Sequence, residues 1–305
     1  ARDRLGVKPL YYALLDSGML VFGSELKSLL EHPDLRRKID PLAVEEYFAY
    51  GYVPEPRSIF MGVCKLPPGM FMVCRRGETL PEPTRYWRVS FEVKAKVTEH
   101  EAAEELVRRL RESVRLRMIS EVPLGAFLSG GVDSSAVVAM MAGLSAEPVN
   151  TCSISFGDPQ YNESRYAQAV AEQYKTRHRV EQVEADDFAL IDRLATLYDE
   201  PYADSSAIPT YRVCELARRN VTVALSGDGG DESFGGYRRY RWQVYEERMR
   251  ALFPSAIRTG LFGVLGFIYP KADWAPKFLR AKSTLESLAR SSVDGYFHSV
   301  SIMGD

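Results

Sequence analysis

The chain has 305 residues, 46% hydrophobic and 26% charged, an ordinary globular composition with room for about two domains. Lys and Arg (39) nearly balance Asp and Glu (41), giving a net charge of −2, so no global field favours nucleic acid or an anionic membrane as partner. The most apolar stretch, residues 260–269, is too short for the ~20 residues of a bilayer-spanning helix, and four cysteines without a C-x-x-C pair, like four histidines without H-E-x-x-H, argue against a disulfide scaffold or a zinc site and for reduced thiols in a cytoplasmic protein.

Residues 10–15 and 19–22 are apolar runs around the turn Asp16-Ser17-Gly18, which predicts an antiparallel hairpin, followed by a short helix up to residue 30. Residues 31–90 carry eight prolines, interrupted by a helical pattern over 42–50, and are expected to form irregular connections at a domain boundary. Thr98 and Glu101 then form a capping box. It opens a helix with Ala103, Val107, Leu110 and Val114 on one face and the pairs Glu104–Arg108 and Glu105–Arg109 on the other. Beyond it the pattern alternates: strand 123–128, helix 134–143, strand 149–156, helix 164–174, strand 178–183, helices 188–198 and 208–219, strand 221–225. Such alternation implies βαβ units and a parallel sheet, an α/β fold. The tail from residue 253 reads as helices broken by Pro254, Pro270 and Pro276.

Two loops leave predicted parallel strands, where ligands bind in open α/β sheets if the strands are neighbours. The first is Leu128-Ser129-Gly130-Gly131-Val132-Asp133-Ser134-Ser135. Its glycines let the backbone approach a phosphate, its serines add hydroxyls, and the following helix points its positive end at the anion. Asp133 alone would repel phosphate, but it suits Mg²⁺ bridging to the phosphates. The second loop, Ser226-Gly227-Asp228-Gly229-Gly230-Asp231-Glu232, offers Asp231 as a second ligand for the same ion. A capped glycine turn and a solvated acidic helix start are the plainer readings of the two. The chain has no G-x-x-x-x-G-K-[ST] motif, no G-x-G-x-x-G after a strand and no G-x-S-x-G. Arg238, Arg239 and Arg241 read as a solvated helix face, and Tyr86-Trp87 as packing.

The first loop resembles the pyrophosphate loop of the ATP pyrophosphatase superfamily. The second loop, with Phe234-Gly235-Gly236-Tyr237, and the segment Asp199-Glu200-Pro201 with Ser205, Ser206, Pro209 and Tyr211 resemble the synthetase domain of glutamine-hydrolysing asparagine synthetases. Residues Ala1 to Tyr12, with Ser24-Glu25-Leu26-Lys27 and Leu66-Pro67-Pro68-Gly69, resemble the late part of a class II (N-terminal nucleophile) glutamine amidotransferase domain. The resemblance implies an antiparallel α+β glutaminase part over residues 1–90 and, over 91–305, a parallel-sheet, adenine-nucleotide α-hydrolase-like synthetase domain. It further implies that ATP is bound by Phe127, Leu128, Ser129, Gly130, Gly131, Val132, Asp133, Ser134, Ser135, Ile154, Ser226 and Gly227, with Mg²⁺ on Asp133 and Asp231 and Asp228 beside the reacting centre. An acceptor carboxylate, aspartate first among candidates, would be adenylated with release of pyrophosphate. Ammonia drawn from glutamine through a tunnel would then give the amide and AMP. The partners implied are these small molecules and a second subunit of a homodimer.

The sequence departs from that family in ways that shape the expectation. The family's glutaminase nucleophile is an N-terminal Cys, whereas residue 1 here is Ala and the glutamine-binding residues would lie upstream of it; residue 305 precedes the segment in which the family carries an important lysine. The chain therefore reads as an internal piece, expected to be inactive as a glutaminase. Asp228 stands where the family commonly has Glu, and Ser155 where it has Gly. Similar loops occur in relatives tied to exopolysaccharide or exosortase systems, which leaves other acceptors open. A β-lactam synthetase-like ligase and a catalytically silent nucleotide-binding module are the alternatives.

Overall fold

Alternating burial shapes the amino-terminal hairpin. Tyr11 and Ala13 face inward on β1 (Tyr11–Leu14), which pairs antiparallel with β2 (Leu20–Gly23) from Tyr11↔Gly23 to Leu14↔Leu20. This computed structural model describes residues 1–92, 96–157, 162–183, 190–271, 274, 276 and 281–302. The chain forms two compact units, one of Ala1–Val89, Ala195–Ala203 and Tyr237–Asp305, the other of Ser90–Leu194 and Asp204–Gly236.

In the first unit, α1 (Leu26–Leu30) follows the hairpin. The next helix, α2 (Pro41–Tyr50), has clear local causes: Asp40 caps it by accepting from the Leu42 N–H, Pro41 sits in its first turn, and left-handed Gly51 ends it. β3 (Val63–Lys65) adds to the open edge of β1, giving the order β2-β1-β3, and β4 (Met70–Phe71) pairs with β5 (Thr84–Arg85). These three strands lie in the proline-rich stretch read from sequence as irregular. At two or three residues each they are too short to show an alternating pattern. Tyr11, Ala13, Leu26, Leu29, Ala43, Val53 and Val63 form the core of this part.

The first eight residues are organised by two charged side chains. Arg2 is buried and donates to the carbonyls of Gly6, Lys8 and Leu66 and to Glu55. Asp3 accepts from the N–H groups of Leu5, Val7 and Lys8. Those bonds, Lys8 first, hold its carboxyl below the ordinary range.

The second unit opens with α3 (Glu99–Arg117), whose capping box forms as the sequence reads: Glu101 N–H donates to Thr98 Oγ1 at 3.3 Å and Thr98 N–H to Glu101 Oε2 at 2.8 Å. Two expectations about this helix need correction. Of its apolar stripe only Val114 is buried, while Val107 stays 55% exposed. Arg108 turns to Glu105, whose two oxygens meet its guanidinium fork at 2.6 and 2.7 Å, and Glu104 lies 3.6 Å from His100 instead.

Then follow β6 (Leu124–Phe127), α4 (Val132–Ala142), β7 (Asn150–Phe156), α5 (Ser164–Gln173), β8 (Arg177–Val183), α6 (Ile191–Leu197), α7 (Ala207–Arg218), β9 (Val223–Leu225) and α8 (Gly230–Phe234). Residues 188 and 189, expected to begin the sixth helix, lie outside the described residues. The four strands form one parallel sheet in the order β8-β7-β6-β9. The chain runs outward through β6, β7 and β8, then returns to place β9 on the far side of β6. Ala126, Leu128, Val137, Val138, Met141 and Ala167 pack one face of the sheet, and Cys152, Leu216, Ala217 and Val221 the other.

The chain leaves this unit after Leu194 and returns at Asp204. Between them, Asp199 and Glu200 are fixed within the first unit. Asp199 accepts from the Leu26 N–H at 2.6 Å and pairs with Lys27 at 3.1 Å. Glu200 accepts from the Ile59 N–H at 2.7 Å and from Tyr11 Oη at 3.1 Å, and pairs with Lys65.

The remaining helices, α9 (Arg238–Leu252), α10 (Ser255–Ile268), α11 (Lys282–Ala289) and α12 (Ser292–Val300), belong to the first unit. A buried Arg250–Glu246 pair at 3.0 Å, extended to the Ser287 carbonyl and hydroxyl, ties α9 to α11. No helix among the described residues is long and apolar enough to cross a membrane.

Candidate active site

The reversal of strand order between β6 and β9 decides where the site lies. In a parallel sheet, the loops that leave two adjacent strands toward opposite faces open a crevice at their carboxyl ends. β6 and β9 are hydrogen-bonded neighbours, with Gly125↔Ala224 and Ala126↔Leu225 in register. The loops at 128–135 and 226–236 therefore emerge side by side, the condition that sequence alone left open.

Their contact is close. A Cβ on Gly227 would lie 2.5 Å from the Ser134 nitrogen and 2.9 Å from Asp133 Cβ, and one on Gly230 would lie 2.6 and 2.7 Å from the two Asp133 carboxylate oxygens. Only a hydrogen atom fits at Gly227, while at Gly230 a methyl would have to displace the Asp133 carboxylate. Asp133 thus rests against the residue preceding Asp231, whose own Oδ1 lies against Gly236. Gly227→Ala meets rigid backbone and is expected to destabilise the unit by about 1–3 kcal/mol. Gly230→Ala meets only a movable carboxylate and should spare the melting temperature while weakening ATP binding. Thermal melting of both variants tests this, and equal melting temperatures would count against the tight approach.

The first loop is braced from within. Gly131 caps α4, and Asp133 makes no cap hydrogen bond, so its carboxylate is not consumed by the helix. Ser134 is buried; its hydroxyl donates to the Gly131 carbonyl and accepts from the Ser129 N–H, and Ser129 Oγ accepts from the Gly131 N–H. Ser135 N–H donates to the Gly131 carbonyl. Val132 stands exposed at the loop's surface. Gly130 has φ +88° and backs onto the first turn of α5, where a Cβ would lie 2.6 Å from Tyr166 Cβ and 2.7 Å from the Ala167 nitrogen.

The remaining predicted residues divide by sheet face. Phe127 pairs with Cys152, and Ile154 lies two residues further along β7, so Phe127 and Ile154 share the face that α7 covers. Leu128 is buried on the opposite face, leaving its backbone at the loop. Ser226 Oγ donates to Asp228 Oδ2 at 3.0 Å, and Asp228 is exposed.

Two features of this neighbourhood are not evident from sequence. Cys214 on α7 feels Asp228: burial first, then that carboxylate's charge, push its thiol above the ordinary range. Arg165 stacks on Tyr166, its guanidinium 4.5 Å from the ring centre, on the helix turn that meets Gly130. Neither residue lies in a recognisable motif, and only the packing of α5 and α7 brings them forward.

No three His, Cys, Asp or Glu side chains cluster into a metal cage among the described residues. Mg²⁺ does not require one, since it binds through one or two carboxylates together with substrate phosphates. Asp133, free of helix capping and adjoining the Asp231 turn, fits that donor set.

A braced glycine loop and an acidic loop thus leave adjacent strands of the parallel sheet of an α/β unit. The family model described as asparagine synthase matches residues 105–301, and the one described as glutamine amidotransferase domain matches residues 1–87. The chain belongs to the glutamine-hydrolysing asparagine synthetase family. Glutamine-hydrolysing asparagine synthetase 1 of Bacillus subtilis is 31% identical over 304 residues, 99% of this chain and 46% of its own length. A Methanocaldococcus jannaschii protein named for the same activity is 42% identical over 241 residues, covering 78% of this chain and 46% of that protein. Amidase chry2 of Gibberella zeae is 30% identical over 310 residues, 91% of this chain and 45% of its own length. The chain thus spans about half the length of the relatives it matches.

Proposed function

We propose that this chain carries the ATP site of a cytoplasmic, amide-forming ligase, with residues 1–90 derived from its glutaminase domain and 91–305 from its synthetase domain. The observation that carries the reading is the meeting of the two loops at the β6–β9 switch point, with Asp133 packed on Gly230. The N–H groups of the 129–135 loop and the start of α4 would receive the β- and γ-phosphates, while Phe127 and Ile154 flank the nucleotide on the α7 face. Asp133 and Asp231 would hold Mg²⁺, which when bound screens the phosphate charge.

An acceptor carboxylate, aspartate first, would attack the α-phosphorus beside Asp228, forming the acyl–AMP bond as the bond to pyrophosphate breaks. Ammonia would then displace AMP and give the amide. The chain's contribution is positioning and electrostatic stabilisation of the phosphorus centre. The relation to a protein named as an amidase and the short carboxylate of Asp228 support testing acceptors besides aspartate.

The test is ATP–pyrophosphate exchange by the intact protein, assayed with aspartate and a panel of other carboxylic acids. Exchange that requires one acceptor supports the proposal and names the substrate. ATP binding without exchange for any acid would overturn it in favour of a silent nucleotide-binding module.

A further inference from the structure

The charge around the candidate phosphate loop does not balance. The two loops contribute Asp133, Asp228, Asp231 and Glu232, and neither they nor β6, α4 and β9 contain a single Lys or Arg. A triphosphate would add several negative charges to these four carboxylates, and a metal ion between Asp133 and Asp231 neutralises only part of the sum. Phosphate sites usually add a guanidinium, whose fork matches phosphate oxygens. Within this unit, an element that touches the loop is one source.

α5 is such an element. Its first turn lies against Gly130, within 2.6–2.7 Å of where a Cβ would stand, and its one basic residue is Arg165. The side chain is exposed, and among the described residues no carboxylate pairs with it, unlike Arg212 on α7, which is bound to Glu215 at 2.7 Å. Nor is Arg165 loose. Its guanidinium stacks over the Tyr166 ring at 4.5 Å and donates to Tyr166 Oη at 2.5 Å. Stacking restrains the long side chain before a ligand arrives, which lowers the entropy lost on binding.

We infer that Arg165, held by Tyr166, is a phosphate-binding residue of this site, contributing the guanidinium that the glycine loop and its carboxylates lack. The inference rests on the 129–135 loop being the ATP phosphate loop. It extends the site to a helix that none of the recognised motifs includes, and it makes Tyr166 a positioning residue.

The test is equilibrium binding of Mg·ATP, Mg·pyrophosphate and AMP to the intact protein and its variants. Arg165→Ala is expected to weaken Mg·ATP and Mg·pyrophosphate at least about ten-fold, roughly 1.4 kcal/mol, while leaving AMP affinity and the melting temperature unchanged. Arg165→Lys should recover part of the loss, and Tyr166→Leu should show a smaller loss of the same pattern. Unchanged Mg·ATP affinity in Arg165→Ala, or an equal loss for AMP, overturns the inference and leaves the loop assignment standing. A wild-type protein that binds neither Mg·ATP nor Mg·pyrophosphate overturns the loop assignment itself, and the inference with it.

Discussion

Asp133→Ala is expected to lower acceptor-dependent ATP–pyrophosphate exchange by at least about a hundred-fold, the loss typical of disturbing even the outer partners of a metal site. Activity and stability can be separated at this residue. Asp133 makes no capping hydrogen bond and only rests against Gly230, so its removal takes away no bond that holds the fold. The cost in stability is the charge–dipole attraction of an acidic residue in a helix's first turn, about 0.3–1 kcal/mol. Asp133→Asn keeps the shape and removes the charge, and it should behave like the alanine variant in exchange. Exchange retained within three-fold in both variants, with normal melting, would rule Asp133 out as a ligand and return it to the plainer role of an acidic residue at a helix start.

The sequence exposes the strands of the second unit because short segments bounded by turn or cap residues alternate with helical patterns, and the observed elements lie within a few residues of their expected positions. It exposes both loops because glycine, serine and aspartate cluster there. Adjacency is hidden. Nothing in residues 124–127 or 223–225 states that these strands pair with each other while β7 takes the other side of β6. That choice turns two loops into one site, and it depends on how the whole sheet is ordered. Arg165 and Cys214 escape notice for the same reason, since their relevance comes from a neighbour distant in sequence. The Glu104–Arg108 expectation fails differently: helical spacing permits several partners, and the competition for Glu105 goes to two arginines at once, Arg108 and Arg109. That competition also holds the Glu105 carboxyl down at about 2, through its bonds to Arg108 and then Arg109.

Glu200 illustrates a residue whose motif is legible and whose task is not. Asp199-Glu200-Pro201 stands out as a family segment, yet its partners are Leu26, Lys27, Tyr11, Ile59 and Lys65, some 135 to 190 positions away. Glu200 and Lys65 are 10% and 11% exposed and lie 2.5 Å apart. Lys65 spends a further bond on the Val53 carbonyl at 2.6 Å. Glu200→Gln leaves that ammonium buried without its counter-charge, and breaking one side of such a pair costs about 3–5 kcal/mol. The melting temperature should fall accordingly, and residues 195–203 should become open to limited proteolysis, because the segment then loses its strongest tie to the β2-β1-β3 sheet. Lys65→Met with Glu200→Gln should be milder than the sum of the two single changes, since the pair disappears without stranding a charge. A loss below about 1 kcal/mol for Glu200→Gln, with no new cleavage, would mean that water already shields the pair and that the neutral bonds to Ile59 and Tyr11 suffice to hold the segment.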